Sequence, residues 1–162
     1  MLSQGQIFQL VVSGRMFCWA GQGDRHSIEP TIPGAKRFRL ETNYNGIPAS
    51  YEDQYLGENA FFGSELVRVG DENEAVWGMN YNGYLMDEVE KVEQFLKSIL
   101  RTEANRIRFG EDVHITQKDL TYSSRTVRRV NNLHFTQIET IKRAGVEFYS
   151  ATLSAGSIMT LP

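Results

Sequence analysis

The chain lacks most of the residues that announce covalent scaffolding or reactive chemistry. Among 162 residues there is one cysteine, Cys18, so no internal disulfide can form and nothing suggests an oxidising compartment. The three histidines, His26, His114 and His134, share no metal-ligand spacing, and no metal is expected. Only four prolines occur, none of them between Pro48 and Pro162, so breaks in the second half must come from Gly and Asn. The apolar runs are a few residues long, far below the ~20 needed to cross a bilayer. Met1 to Gln9 has no basic stretch leading into an apolar run and does not read as a signal peptide. A cytoplasmic protein with no membrane segment is expected. There is no P-loop. Gly21-Gln22-Gly23 lacks the third glycine of a dinucleotide fingerprint, and Ser64 in Gly63-Ser64-Glu65 lacks the Gly-x-Ser-x-Gly elbow. No cofactor is expected, and no catalytic residue can be assigned from motifs.

What remains suits one soluble domain over residues 1–162. The hydrophobic fraction is 41% and the aromatic fraction 11%, enough to build a core. The charge is uneven. Residues 1–100 hold 8 Lys/Arg against 14 Asp/Glu, and residues 101–143 hold 9 against 5. A basic second half would suit an anionic partner. Its basic residues are scattered and interrupted by acids, however, which fits a solvated surface better.

Asn-Tyr-Asn-Gly occurs twice, at 43–46 and 80–83. Asn-Gly is the strongest short hairpin signal, because both central residues of a type I′ turn need positive φ. Two such turns imply an antiparallel meander. Ser3 and Gln6 form a capping box ahead of Ile7, Phe8, Leu10 and Val11, which predicts a short helix over 4–13 that stops at Gly14. Met16 to Ala20 reads as a strand. Strands are also expected at about 37–43, 48–55, 64–69 and 75–81, with Gly57 to Gly63 a connection. Asp87 and Glu90 form a second capping box. Val89, Val92, Leu96, Ile99 and Leu100 behind it make the main helix, about 87–102, with one apolar stripe for a sheet. Further strands are expected at 113–116, 120–129, 135–142 and 146–153. Residues 62–86 and 135–159 echo each other weakly at an offset of 73–74, as a duplicated hairpin unit would. The fold class is therefore α+β: a twisted antiparallel sheet of six to eight strands packed on one main helix.

A few polar residues stand in places that ask for a partner. Tyr51, Asp53 and Tyr55 share one face of a strand, with Glu52 and Gln54 on the other. A carboxylate between two phenols suits a polar or cationic small ligand, although an amphipathic sheet face reads the same way. Glu65 shares a face with Val67 and Val69, so it lies either at a wet strand end or buried with a partner. Trp19, beside Gly21-Gln22-Gly23, is placed to border a cleft. Trp77 lines a strand with Met79 and Tyr81, where core packing is the simpler reading. Cys18 between Phe17 and Trp19 reads as a small buried hydrophobe.

The ordered set Trp19-Ala20-Gly21, Glu29-Pro30, Pro33-Gly34, Tyr51 to Gly57, Phe62 to Glu65 and Val76 to Gly83 resembles a bacterial domain family of unknown function. The resemblance runs over about residues 8–86 and loosely beyond. It implies a module that stands alone or follows a helix-turn-helix regulator. It supplies no catalytic residues. No helix-turn-helix stands out in this chain, and direct nucleic-acid binding is not expected.

The leading expectation is a small-molecule-binding, sensor-like module whose site draws on Trp19, Tyr51, Asp53, Tyr55, Glu65 and Trp77. One alternative is an enzyme using Glu65 with Asp53 or Glu52 as an acid/base pair. The other is a protein-interaction module, with a second copy of the chain or a regulator protein as partner.

Overall fold

Alternation along the chain converts almost wholly into one sheet. The computed structural model describes residues 2–21, 23–86 and 88–158, with the backbone alone at Gly23 and Asp24. Its elements are α1 (Gln4–Phe17), a 3₁₀ turn (Gly23–His26), β1 (Ser27–Ile28), β2 (Lys36–Tyr44), β3 (Ile47–Gly57), β4 (Ala60–Val69), β5 (Glu74–Leu85), α2 (Val89–Thr102), β6 (Val113–Gln117), β7 (Leu120–Asn131), β8 (His134–Arg143) and β9 (Val146–Ser157). The nine strands form a single sheet in the order β1-β2-β3-β4-β5-β9-β8-β7-β6. All neighbours are antiparallel. The fold is α+β as expected, and α2 packs on the sheet. The order is symmetric about the β5–β9 contact: α1 precedes the meander β1–β5, and α2 precedes the meander β6–β9. The hairpins β4–β5 and β8–β9 span the two stretches that echo each other in sequence; Met159 lies outside the described residues.

One face of the sheet and both helices share the core. Tyr51, Val67, Trp77, Tyr122, Ile141 and Leu153 are buried from the sheet, and Ile7, Leu10, Val11, Val92 and Ile99 from the helices. Each such side chain contributes about 1.5–3 kcal/mol by leaving water. Trp77 also satisfies its indole N–H, which donates to the Leu133 carbonyl at 2.8 Å.

Three departures from the sequence reading have physical causes. First, α1 does not stop at Gly14, and Met16–Phe17 belong to it; residues 18–20 form a turn, not a strand. The capping box is present, with both Ser3–Gln6 hydrogen bonds made. Gly14 stays helical because its bare Cα receives the Tyr51 ring: a Cβ there would sit 2.2 Å from the ring carbons. Second, only the first Asn-Gly is a turn. Asn45 (φ 53°) and Gly46 (φ 85°) take the left-handed conformation, and the Asn43 side chain accepts from the Gly46 N–H at 2.6 Å. Asn82-Gly83 lies inside β5, where Gly83 lets β9 approach: a Cβ would fall 2.1 Å from the Ser150 carbonyl oxygen and 2.8 Å from the Phe61 ring. Third, α2 begins at Val89. Glu88 holds φ 59° and makes no side-chain cap, its carboxylate taking a hydrogen bond from Arg143 at 2.7 Å instead. Glu90 accepts from Gln94. Asp87, the other half of the expected capping box, lies outside the described residues.

Gly83→Val should therefore cost about 2–4 kcal/mol in urea unfolding. Gly46→Ala, with open space around its Cβ and only the positive φ to oppose it, should cost about 1 kcal/mol. Equal costs would show that Gly83 serves its conformation and not the β5–β9 approach.

Candidate functional site

The interior face of the sheet carries three buried carboxylates, Asp53, Glu65 and Glu139, and two buried guanidinium groups, Arg15 from α1 and Arg108 from the segment after α2, lie against it. Glu65 is 1% exposed, so it lies in the interior and not at a wet strand end. Continuation of α1 past Gly14 brings Arg15 over β4, where its Nε donates to Glu65 Oε2 at 2.9 Å. Its Nη1 donates to the carbonyls of Ile107 and Arg108, at 3.2 and 3.1 Å, and the guanidinium stacks on Phe109. Arg108, held at φ 61° after α2, donates through Nε and Nη2 to Glu139 at 3.1–3.2 Å. Tyr122 and Tyr149 also donate to Glu139, at 2.6 and 3.1 Å. Buried ions persist only when matched and hydrogen-bonded in this way.

Beside this network opens a cavity of about 460 Å³. Its buried end is formed by Asp53, Tyr81, Arg108 and Tyr149. Trp19, Tyr55 and Phe61 give it aromatic walls, and Leu85, Val89 and Leu96 an aliphatic one. Lys36, Glu58 and Glu93 stand nearer solvent. Trp19 is fixed by an indole hydrogen bond to the Tyr55 hydroxyl at 3.1 Å and by Lys97 over its ring. A second cavity, about 440 Å³, shares Trp19, Lys36, Tyr55 and Glu93 with the first.

Three of the six residues singled out from sequence, Trp19, Asp53 and Tyr55, line the larger cavity. The other three do not. Tyr51 is buried against Gly14, Glu65 is committed to Arg15, and Trp77 is core. Asp53 and Glu65 are cross-strand partners on one face. Glu52 points to the opposite face, where Arg37 donates to it at 2.9 Å with Arg39 and Arg68 close by, so it pairs with neither. Sequence reasoning passed over Phe61, Tyr81, Leu96 and above all Arg108. The available signal for Arg108 was an arginine between Ile107 and Phe109, a charge with an apolar residue on each side.

Asp53 is the chemically unusual member. Tyr81 donates to its Oδ1 at 2.6 Å. Gly63 makes that reach possible, since a Cβ there would meet the Tyr81 phenol at 2.4–2.5 Å. Burial, reinforced by the neighbouring Glu65 charge, pushes the Asp53 carboxyl up to about 7; the Tyr81 hydrogen bond and the charges of Arg108 and Arg15 hold it from rising further. Burial also raises the Cys18 thiol to about 12, aided by Asp53 and Glu65, so Cys18 is no nucleophile. Among the described residues no group of three His, Cys, Asp or Glu side chains is arranged to hold a metal ion.

A carboxyl whose folded pKa is raised binds its proton more tightly in the native state. Its stabilising contribution is present below the unfolded pKa and lost as pH rises towards about 7. The stability difference between the native protein and Asp53→Asn should shrink, to the native protein's cost, by on the order of 4 kcal/mol between pH ~4 and ~7. A difference independent of pH, read by urea unfolding, would rule out a protonated Asp53. Arg15→Met should cost about 3–5 kcal/mol, because it strands Glu65 in the core. The double variant Arg15→Met/Glu65→Gln should recover much of that loss, and no recovery would show that Arg15 acts by packing alone.

No curated protein and no solved structure matches the chain. A family model described as a domain of unknown function (DUF5680) matches residues 53–158, from Asp53 through β9. The match takes in Tyr55, Arg108 and Glu139 and leaves out α1, Trp19 and Tyr51. It thus reaches well into the second half, which the sequence motifs covered only loosely. The chain belongs to this DUF5680 family.

Proposed function

We propose that the protein is a small-molecule-binding module, and that its ligand occupies the cavity between β3, β5 and α2. The observation that carries this reading is the cavity's construction: about 460 Å³, aromatic and aliphatic walls, and a few convergent polar groups at the buried end. That is the ordinary make-up of a ligand site. The resemblance to bacterial modules attached to helix-turn-helix regulators supports a sensing role in the cytoplasm, by analogy of arrangement. No described helix is long and apolar enough to cross a membrane.

A catalytic reading has one observation in its favour. Asp53 faces the cavity with a carboxyl that titrates near neutrality, as a general acid or base should. Its cross-strand neighbour Glu65 is locked to Arg15 and does not reach the cavity, so an acid/base pair of the two would lack one member. Binding accounts for the geometry with fewer parts.

Native mass spectrometry of the purified protein, joined to thermal-shift screening of a metabolite panel, tests the reading. A co-purifying mass or a raised melting temperature is expected, since binding to the folded state must stabilise it. Val89→Trp fills the cavity from the start of α2 and should abolish both signals without lowering the apo melting temperature. Shifts that persist in Val89→Trp would place the ligand elsewhere, and a clean apo mass with no shifts would sink the proposal.

A further inference from the structure

Given a ligand in this cavity, the charge count inside the protein defines its chemistry. Each guanidinium of the interior is ion-paired with a glutamate. Arg15 spends its donors on Glu65, on two backbone carbonyls and on the Met79 sulfur. Arg108 gives Nε and Nη2 to Glu139 and Nη2 also to the Tyr149 hydroxyl, while its Nη1 faces Glu65 at 3.8 Å without a hydrogen bond. Asp53 is the third carboxylate and has no cation of its own. Its one hydrogen bond comes from Tyr81 to Oδ1; among the described residues none donates to Oδ2. Asp53 is 8% exposed and lines the cavity, so this carboxyl is what a ligand meets at the buried end.

We infer that the cavity receives an organic cation, a protonated amine or amidine on a flat apolar body, with the cation seated at Asp53 and the body between Trp19, Tyr55 and Phe61. The aromatic walls agree with this: ring faces attract cations, and two of these rings already do so, with Lys36 Nζ 5.6 Å from the Tyr55 centroid and Lys97 Nζ 4.8 Å from that of Trp19. The approach agrees as well, with Glu58 and Glu93 against Lys36. An anionic ligand would meet the undonated oxygen of Asp53 at the buried end, where the guanidinium that lines the cavity, Arg108, is already ion-paired with Glu139 and faces Glu65. This inference rests on the ligand-binding reading and narrows it.

A proton should move on binding. The groups facing Asp53 are Glu65 from β4, Tyr81 from β5, Arg15 and Cys18 from α1 and its end, and Arg108 from the segment after α2. Tyr51 flanks it on its own strand, Lys36 lies along the cavity on β2, and Glu93 projects from α2. Of these, Tyr51, Tyr81 and Cys18 keep their protons near neutral pH, since burial raises all three. An arriving cation thus displaces the Asp53 proton below pH ~7 and meets a ready carboxylate above it.

The test uses the full chain and three probes of one shape: phenethylamine, 2-phenylethanol and phenylacetate. Binding is followed by NMR shifts of the Trp19 indole N–H and by calorimetry. Phenethylamine should bind at least tenfold more tightly than phenylacetate, and about tenfold more tightly at pH ~8 than at pH ~5.5. Asp53→Asn should remove both differences. The pH dependence in the unsubstituted protein stands as evidence even if Asp53→Asn folds poorly. Equal or tighter binding of phenylacetate, or amine affinity indifferent to pH, overturns the cation while leaving the ligand site intact. If none of the three moves a cavity signal at millimolar concentration, the cation inference falls, and the binding reading is then judged by the metabolite panel alone.

Discussion

The two arginine–glutamate pairs in the interior are the constraint to which the other parts of this protein answer. An ion removed from water costs several kcal/mol unless its partner and hydrogen bonds are in place. Arg15 comes from the end of α1 and meets Glu65 on β4; Arg108 comes from the segment after α2 and meets Glu139 on β8. Each helix is thereby tied to one half of the sheet. The halves are tied to each other as well, because Arg15 also holds the Ile107 and Arg108 carbonyls and Arg108 approaches Glu65. The small residues follow from the same demand. Gly14 admits the Tyr51 ring so that α1 can lie close enough for Arg15 to reach.

The cavity is what this arrangement leaves open. The pairs engage both guanidinium groups and two of the three buried carboxylates on the interior face, and Asp53 is the remainder. Tyr81, crossing Gly63, supplies a single hydrogen bond. A buried carboxyl with one donor and no cation bonded to it keeps its proton to higher pH than usual, and on the proposed reading that same shortage is what a ligand would recognise. The structure tolerates the surplus carboxyl by protonation, and in the proposed binding reading a ligand of the right charge would relieve it.

Much of the local structure was legible in the residues themselves. Period-two alternation marked most strands, Asn45-Gly46 marked the first hairpin, and Ser3 with Gln6 marked the start of α1. Those signals work because the interactions span a few residues. They misled where a distant partner decided. Asn82-Gly83 carries the same dipeptide as the first turn, yet Ser150 and Ala151 across the β5–β9 contact hold it extended. Gly14 looks like a helix stop, yet Tyr51 of β3 makes use of its missing side chain.

The site divides the same way. Tyr51, Asp53 and Tyr55 were legible as a stripe, because alternation alone puts them on one face. Which of them meets a cavity was not, since that depends on where α1 and α2 cover the strand: Tyr51 lies beneath α1, while Asp53 and Tyr55 stay open. Arg108 carried no local mark beyond its apolar neighbours, because its partner Glu139 arrives only when β8 is laid beside β9. Sequence alone determined the α+β class, most strand positions and the residue types available for chemistry, all set by short-range periodicity and turn geometry. Tertiary structure decided which charges pair, which carboxyl is left over and where the cavity opens, because burial and ion pairing depend on segments far apart in the chain.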